Sequence, residues 1–125
     1  MKCLVIHGSP RHGNSWDVLK IVEEADSLII TLPVYSMQLS GLLKNFIDHM
    51  SYNFHRPRFY NKKALIITTT AGAGHNDTAK YIKSVMYYWG MNYVMTLPVA
   101  YRSYDLKDNN KKKILKVAKS LVKSY

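Results

Sequence analysis

The chain has 125 residues, of which 47% are hydrophobic and 21% are charged, and its formal net charge is +10. This length suits a single domain, residues 1–125, with one core, and the composition excludes collagen-like, low-complexity and disordered chains. The longest apolar runs are far shorter than the roughly 20 residues of a membrane-spanning helix, and no signal-peptide core is present, so we expect a cytoplasmic protein without membrane association.

Four runs rich in branched aliphatic residues predict strands, at residues 2–6, 27–32, 63–69 and 93–99. None of the runs alternates strictly between apolar and polar residues, which is typical of parallel strands buried on both faces. Helical periodicity appears at residues 15–25, 38–51, 75–89 and 108–124. The alternation predicts an α/β domain, an open parallel sheet with helices on both faces.

The first predicted strand contains the single cysteine, Cys3. One cysteine excludes an internal disulfide and a cysteine cluster for a metal or an iron–sulfur centre. We expect Cys3 to pack as a small buried residue. The histidines show no ligand spacing such as HExxH, so the sequence predicts no metal site; they are His7, His12, His49, His55 and His75.

In open parallel sheets, ligands bind beyond the carboxyl ends of the strands, so three loops are candidates: HGSPRHGNS, LPVYSMQLSG and TTTAGAGH. The first loop combines hydroxyls, an arginine and the start of a helix, which together suit a phosphate dianion. Its alternative is a helix start capped by Asn14 or Ser15 after a Gly/Pro turn.

The second and third loops, Pro33–Ser36 and Thr69–Gly74, supply an aromatic side chain, hydroxyls and flexible backbone. A flat heteroaromatic ring needs an apolar face to stack on and a few N–H donors, and both loops can provide these. Taken singly, each is also explained as an ordinary turn after a strand.

The last predicted helix carries six lysines between apolar residues that recur at helical spacing. This pattern is typical of an amphipathic helix with a solvated basic face, so the charge of this segment does not by itself indicate nucleic acid.

Taken together and in this order, LVIHGSPR.GNS, ADSLIITLPVYSMQLSGLLKNFIDHM and FHRPRFYNKKALIITTTAGAG resemble the NADPH-dependent FMN reductase branch of the flavodoxin-like proteins. The resemblance covers nearly the whole chain, and PVY followed by SG.LKNFID is its most specific part. It implies a flavodoxin-like three-layer sandwich, FMN as cofactor, and NADPH or NADH as electron donor. The run FHRPRFYNKK, which could otherwise suggest RNA, matches a helix-to-strand connection in that family and argues against a nucleic-acid partner.

The resemblance also assigns cofactor-binding residues, although no catalytic acid or base. The phosphate cradle corresponds to Ser9, Arg11, Asn14 and Ser15, and the loop along the isoalloxazine to Pro33, Val34, Tyr35 and Ser36. The pyrimidine side of the flavin corresponds to Thr69, Thr70, Ala71 and Gly72. His75 is either a plain helix-start residue or one that approaches the flavin.

Compared with that family, the chain lacks one βα unit, because DVLKIVEEADSLII matches the helix before the family's third strand. Removing the second strand gives the order 1-3-4-5, and the right-handed connection then leaves one sheet face covered only by the last helix. The changed helix position predicts that FMN affinity is weakened or absent. The exposed face and edge predict a homodimer. The interface candidates, with ordinary core packing as the alternative, are Met37, Met86, Met91, Tyr87, Tyr88 and Trp89.

Two functional hypotheses follow from the resemblance. The first is an FMN-binding, NAD(P)H-dependent oxidoreductase that reduces flavin, quinone or a similar small acceptor. The alternative is a catalytically degenerate flavodoxin-like remnant that acts as an oligomeric binding or interaction module.

Overall fold

The computed structural model describes residues 2–7, 22, 24–100 and 108–124. Within these ranges the strands are β1 (Cys3–His7), β2 (Ser27–Pro33), β3 (Lys63–Thr70) and β4 (Tyr93–Ala100). The helices are α1 (Gly41–His49), α2 (His75–Tyr88) and α3 (Asp108–Lys123), and a short 3-10 helix spans Ser51–Phe54. The predicted helix at residues 15–25 lies outside the described residues except for positions 22 and 24, which are helical.

The four strands form one parallel sheet in the order β1-β2-β3-β4. This order confirms the predicted α/β sheet, in which β2 follows β1 directly in space as well as in sequence. Because each right-handed crossover moves the chain one strand in the same direction, α1 and α2 lie on the same face of the sheet.

The face under α1 and α2 holds the larger core. Buried strand residues at alternate positions, such as Leu28, Ile30 and Ile66, meet apolar residues of both helices. Trp89, which follows the last residue of α2, is fully buried, with Phe46 and Phe59 packed edge-on at 6.2 and 6.0 Å between ring centroids. Of the six interface candidates, Met86, Met91 and Trp89 are therefore core residues, whereas Met37, Tyr87 and Tyr88 are exposed.

The opposite face is covered by α3, whose Leu121 is buried against residues of β3 and β4. Beside α3, towards β1, runs an apolar groove of about 100 Å³. It is lined by Cys3, Ser27, Ile29, Leu65, Ala118, Leu121 and Val122. The expectation that Cys3 is buried is wrong: it is exposed, because its side chain lies on this thinly covered face at the edge strand. Partial desolvation still raises the pKa of its thiol.

The ends of the helices have clear local causes. Ser40 caps α1, and its hydroxyl accepts a hydrogen bond from the backbone N–H of Leu43 at 3.4 Å. At the end of α2, the N–H of Met91 bonds to the carbonyl of Met86 and that of Gly90 to Tyr87, which is the Schellman pattern. Gly90 supplies the positive φ of 103° that this cap requires. No helix in the described ranges has the length and apolar character needed to cross a membrane.

Candidate cofactor site

The carboxyl ends of β1, β2 and β3 lie at one edge of the sheet. His7 at the end of β1 pairs with Thr31, and Pro33 at the end of β2 pairs with Thr69. The chain segments that follow these strands therefore start side by side. This arrangement is where a parallel sheet of this kind binds its ligands.

The loop after β2 is a tight two-residue hairpin. Tyr35 and Gln38 exchange both backbone hydrogen bonds, at 3.0 and 2.9 Å, around Ser36 and Met37. Both central residues have positive φ, 45° and 68°, which is the left-handed region that non-glycine residues rarely occupy. The turn leaves 55% of Tyr35 exposed at the sheet edge. Its aromatic ring is thus available for stacking.

The loop after β3 is organised by the hydroxyl of Thr70. This oxygen accepts a hydrogen bond from the backbone N–H of Gly72 at 3.1 Å and donates to the carbonyl of Ala73 at 3.4 Å. A Cβ atom added to Gly72 would meet no atom within 4 Å, so the loop borders open space at this position. The hydroxyl of Thr68 ties the next segment to the sheet by donating to the carbonyl of His75 at 2.9 Å.

The two loops touch each other directly. The N–H of Val34 donates to the carbonyl of Thr69 at 2.8 Å, and the hydroxyl of Thr78 donates to the carbonyl of Met37 at 3.4 Å. Gly74, with a φ of 90°, is so close to the hairpin that a Cβ atom there would lie 2.8 Å from Cα of Met37. Of these contact residues, Met37, Gly74 and Thr78 are absent from the cofactor-binding residues that the resemblance assigns. The only signal for them is the glycine at position 74.

The chemistry of the two loops fits the ring end of FMN. Residues 27–43 and 64–76 contain no Asp, Glu, Lys or Arg, so the loops suit an uncharged ring system and not a phosphate. Within the described ranges, the backbone N–H groups of Ser36, Ala71 and Ala73 donate to no other residue. Nδ1 of His75 is likewise buried without a partner there. Unused donors beside an exposed aromatic ring match the carbonyl oxygens and ring nitrogens of an isoalloxazine.

Eight of the twelve assigned cofactor residues can be placed. The structure brings together Pro33, Val34, Tyr35 and Ser36 with Thr69, Thr70, Ala71 and Gly72. The assigned phosphate cradle, Ser9, Arg11, Asn14 and Ser15, lies outside the described residues. Among the residues that are described, no cluster of three or more His, Cys, Asp or Glu side chains could hold a metal ion.

This chain is similar to proteins of known families. The family model for NADPH-dependent FMN reductase matches residues 17–104. An iron-sulfur flavoprotein from Archaeoglobus fulgidus is 34% identical over 86 residues, which are 68% of this chain and 37% of that protein. An FMN-dependent NADH:quinone oxidoreductase from Hahella chejuensis is 30% identical over 78 residues, or 55% of this chain and 38% of that protein.

Solved structures are similar to this chain in fold. The Trp repressor binding protein from Bacillus subtilis superposes with a TM-score of 0.58 at 23% identity, covering 76% of this chain and 83% of that one. At this identity the match supports the flavodoxin-like fold alone. The chain spans well under half the length of the two curated relatives, so only part of each is represented here.

Proposed function

Because this chain belongs to the NADPH-dependent FMN reductase family, we propose that it is a cytoplasmic, FMN-binding oxidoreductase that passes electrons from NADPH or NADH to flavin, a quinone or a similar small acceptor. The observation that carries this proposal is the junction of the two loops. They place the exposed ring of Tyr35 beside unused backbone donors at the ligand-binding edge of the sheet. The relative from Hahella chejuensis supports FMN and suggests a quinone as one acceptor.

In this proposal the segment Pro33–Ser36 supports the isoalloxazine, and Thr69–Gly72 supplies donors to its pyrimidine side. Ser9, Arg11, Asn14 and Ser15 hold the phosphate, with Arg11 contributing the positive charge that the two described loops lack. When bound, FMN supplies the hydride and electron chemistry, while the protein orients the ring and limits access of water. The proposal does not extend to an iron–sulfur cluster, because this sequence has one cysteine and such clusters are held by several.

The test is a titration of the purified protein with FMN, followed by quenching of flavin fluorescence and by the visible absorption spectrum. Tyr35→Ala should raise the Kd about two- to tenfold through loss of ring stacking. Tyr60→Ala is the matched control, because Tyr60 is similarly exposed but lies at the other end of the sheet. Arg11→Ala should raise the Kd by about tenfold or more, with Arg56→Ala as the charge-matched control.

Activity is measured as oxidation of NADPH and of NADH in the presence of FMN and a soluble quinone. Turnover that requires FMN and is lost in Arg11→Ala would exclude the alternative, a remnant without catalysis, which the comparisons do not support. Absence of both bound flavin and fluorescence quenching at micromolar protein would refute the proposal.

We also propose a two-fold homodimer that covers the face carrying the apolar groove. The support is physical: β1 is an edge strand, the groove beside α3 is apolar, and Leu115 and Val122 of α3 are each 60% exposed. Burying this surface in an isologous contact would remove the apolar area from water. Sedimentation equilibrium tests it, and a 14.4 kDa species at all micromolar concentrations would show that the protein is monomeric.

A further inference from the structure

A second surface of unusual composition lies at the end of the sheet opposite the cofactor loops. It consists of Tyr52, Phe54, Arg58, Tyr60 and Tyr88, which we call the basic-aromatic surface. The first four follow α1, and Tyr88 is the last residue of α2. Because α1 and α2 run back across the sheet, their carboxyl ends lie at the amino ends of the strands. The proposed flavin site and this surface are therefore separated by the length of the sheet.

The fold holds these residues together through the end of α2. The backbone N–H groups of Arg58 and Phe59 both donate to the carbonyl of Trp89, at 3.2 and 3.0 Å. The ring of Tyr60 lies so close to Gly90 that a Cβ atom there would be 3.3 Å from it. The segment after the 3-10 helix is thus fastened by its backbone; Arg58 and Tyr60 in it are exposed, whereas Phe59 is buried.

The aromatic rings of this surface remain open to solvent, although two of them are packed on one another. Phe54 and Tyr88 stack with centroids 5.2 Å apart and planes inclined by 27°. Tyr88 nevertheless stays 61% exposed and Tyr60 59% exposed. The guanidinium of Arg58 lies 5.7 Å from the ring centroid of Tyr52, which is a cation–π distance. Flat rings held in place at a surface are stacking platforms that lose little entropy on binding.

The charge around these rings is positive. Asp77 is the single acidic residue between positions 49 and 104. Next to the basic-aromatic surface, a groove of about 350 Å³ is lined by Asp26, Arg58, Phe59, Asn61 and Lys62. Its one carboxylate, Asp26, accepts a hydrogen bond from the backbone N–H of Lys2 at 2.8 Å, and the ammonium of Lys62 donates to the carbonyl of Ala25. A ligand that fits both the aromatic rings and the groove has a negatively charged backbone with flat rings attached to it.

We propose that the basic-aromatic surface binds single-stranded nucleic acid, with bases stacked on Tyr88 and Tyr60 and phosphates in the groove of Arg58 and Lys62. A duplex does not offer its base faces for stacking, whereas a single strand does. A second copy of the chain fits less well, because a two-fold contact here would bring cations against cations. The run FHRPRFYNKK meets Tyr88, which is distant in sequence, only in the folded chain.

The test is fluorescence anisotropy of the purified full chain with a fluorescein-labelled oligothymidylate of about 12 nucleotides, a length within the usual site sizes. Tyr88→Ala should raise the Kd about fivefold or more, as expected for the loss of one base–aromatic stack. Tyr60→Ala should act in the same direction and provides a second variant if Tyr88→Ala unfolds in circular dichroism. Between about 50 and 200 mM salt, Arg58→Gln should reduce the salt slope by about 0.7.

Two controls distinguish binding at this surface from non-specific electrostatic attraction of the oligonucleotide and from binding at the proposed flavin site. Replacing Lys111, Lys112 and Lys113 by alanine removes three charges from α3 and should change the Kd less than Arg58→Gln does. Tyr35→Ala should leave oligonucleotide binding unchanged while it weakens FMN binding, so the two proposals fail independently. Equal losses in the α3 variant and the surface variants would overturn the proposal, as would unchanged binding in both tyrosine variants. Sedimentation that shows a dimer lost in Tyr88→Ala, without oligonucleotide binding by the wild type, would assign the surface to a second copy.

Discussion

Replacement of Gly74 by alanine tests whether the two cofactor loops are built as one unit. Gly74 has a φ of 90°, and an added Cβ atom would lie 2.8 Å from Cα and 3.0 Å from the carbonyl oxygen of Met37. Both neighbours are backbone atoms, so they cannot rotate away. The left-handed conformation costs a residue with a Cβ atom about 1–2 kcal/mol, and forced displacement of packed atoms costs about 1–3 kcal/mol more. We expect Gly74→Ala to lower the free energy of unfolding by about 2–5 kcal/mol.

The matched control is Gly72→Ala, two residues earlier in the same loop. No atom lies within 4 Å of a Cβ atom there, so this variant should change the free energy of unfolding by less than about 1 kcal/mol, and in the stabilising direction if the backbone accepts alanine. Urea unfolding followed by tryptophan fluorescence measures both. Gly74→Ala should also weaken FMN quenching, because the hairpin must move away. Equal stability of the two variants would refute the close contact between the loops.

Three further predictions concern the hairpin, the core and the thiol. Ser36→Gly should raise the free energy of unfolding, measured by urea unfolding, by about 1 kcal/mol, because glycine adopts the φ of 45° without strain. No increase would show that the turn is unstrained. Met86→Ala should cost about 2–5 kcal/mol, whereas Tyr87→Ala, the next residue along α2, should cost under about 1 kcal/mol; similar losses would contradict their assigned burial. The raised pKa of Cys3 favours the neutral thiol in the folded state, so near pH 8.5 iodoacetamide should react more slowly with the folded chain than with the urea-unfolded chain. The free energy of unfolding should fall as the pH rises above about 8.5, because the unfolded chain loses the thiol proton first. Identical rate–pH profiles for the folded and unfolded chains would contradict this.

Local signals in the sequence were sufficient to predict the strands and part of the candidate cofactor site. Branched aliphatic runs gave the four strands, because such residues pack well where both sheet faces are covered. The Gly/Ser/Pro-rich loops follow the strands directly, and parallel strands must end at one edge, so loops distant in sequence were expected to meet. The resemblance added the assignment of Pro33–Ser36 and Thr69–Gly72 to one ligand.

Only the tertiary structure decided which apolar residues face solvent and which loop atoms touch. Met86 and Tyr87 are neighbours on one helix, and their opposite burial depends on where the helix meets the sheet, which composition does not specify. Cys3 is exposed because α3 lies over β3 and β4 and leaves the groove at β1, a long-range outcome invisible in the strand itself. The contact of Gly74 with Met37 depends on the relative placement of two loops 37 residues apart. Local sequence fixes dihedral preferences and periodicity, but such contacts depend on the register and packing of elements that meet only in the folded chain.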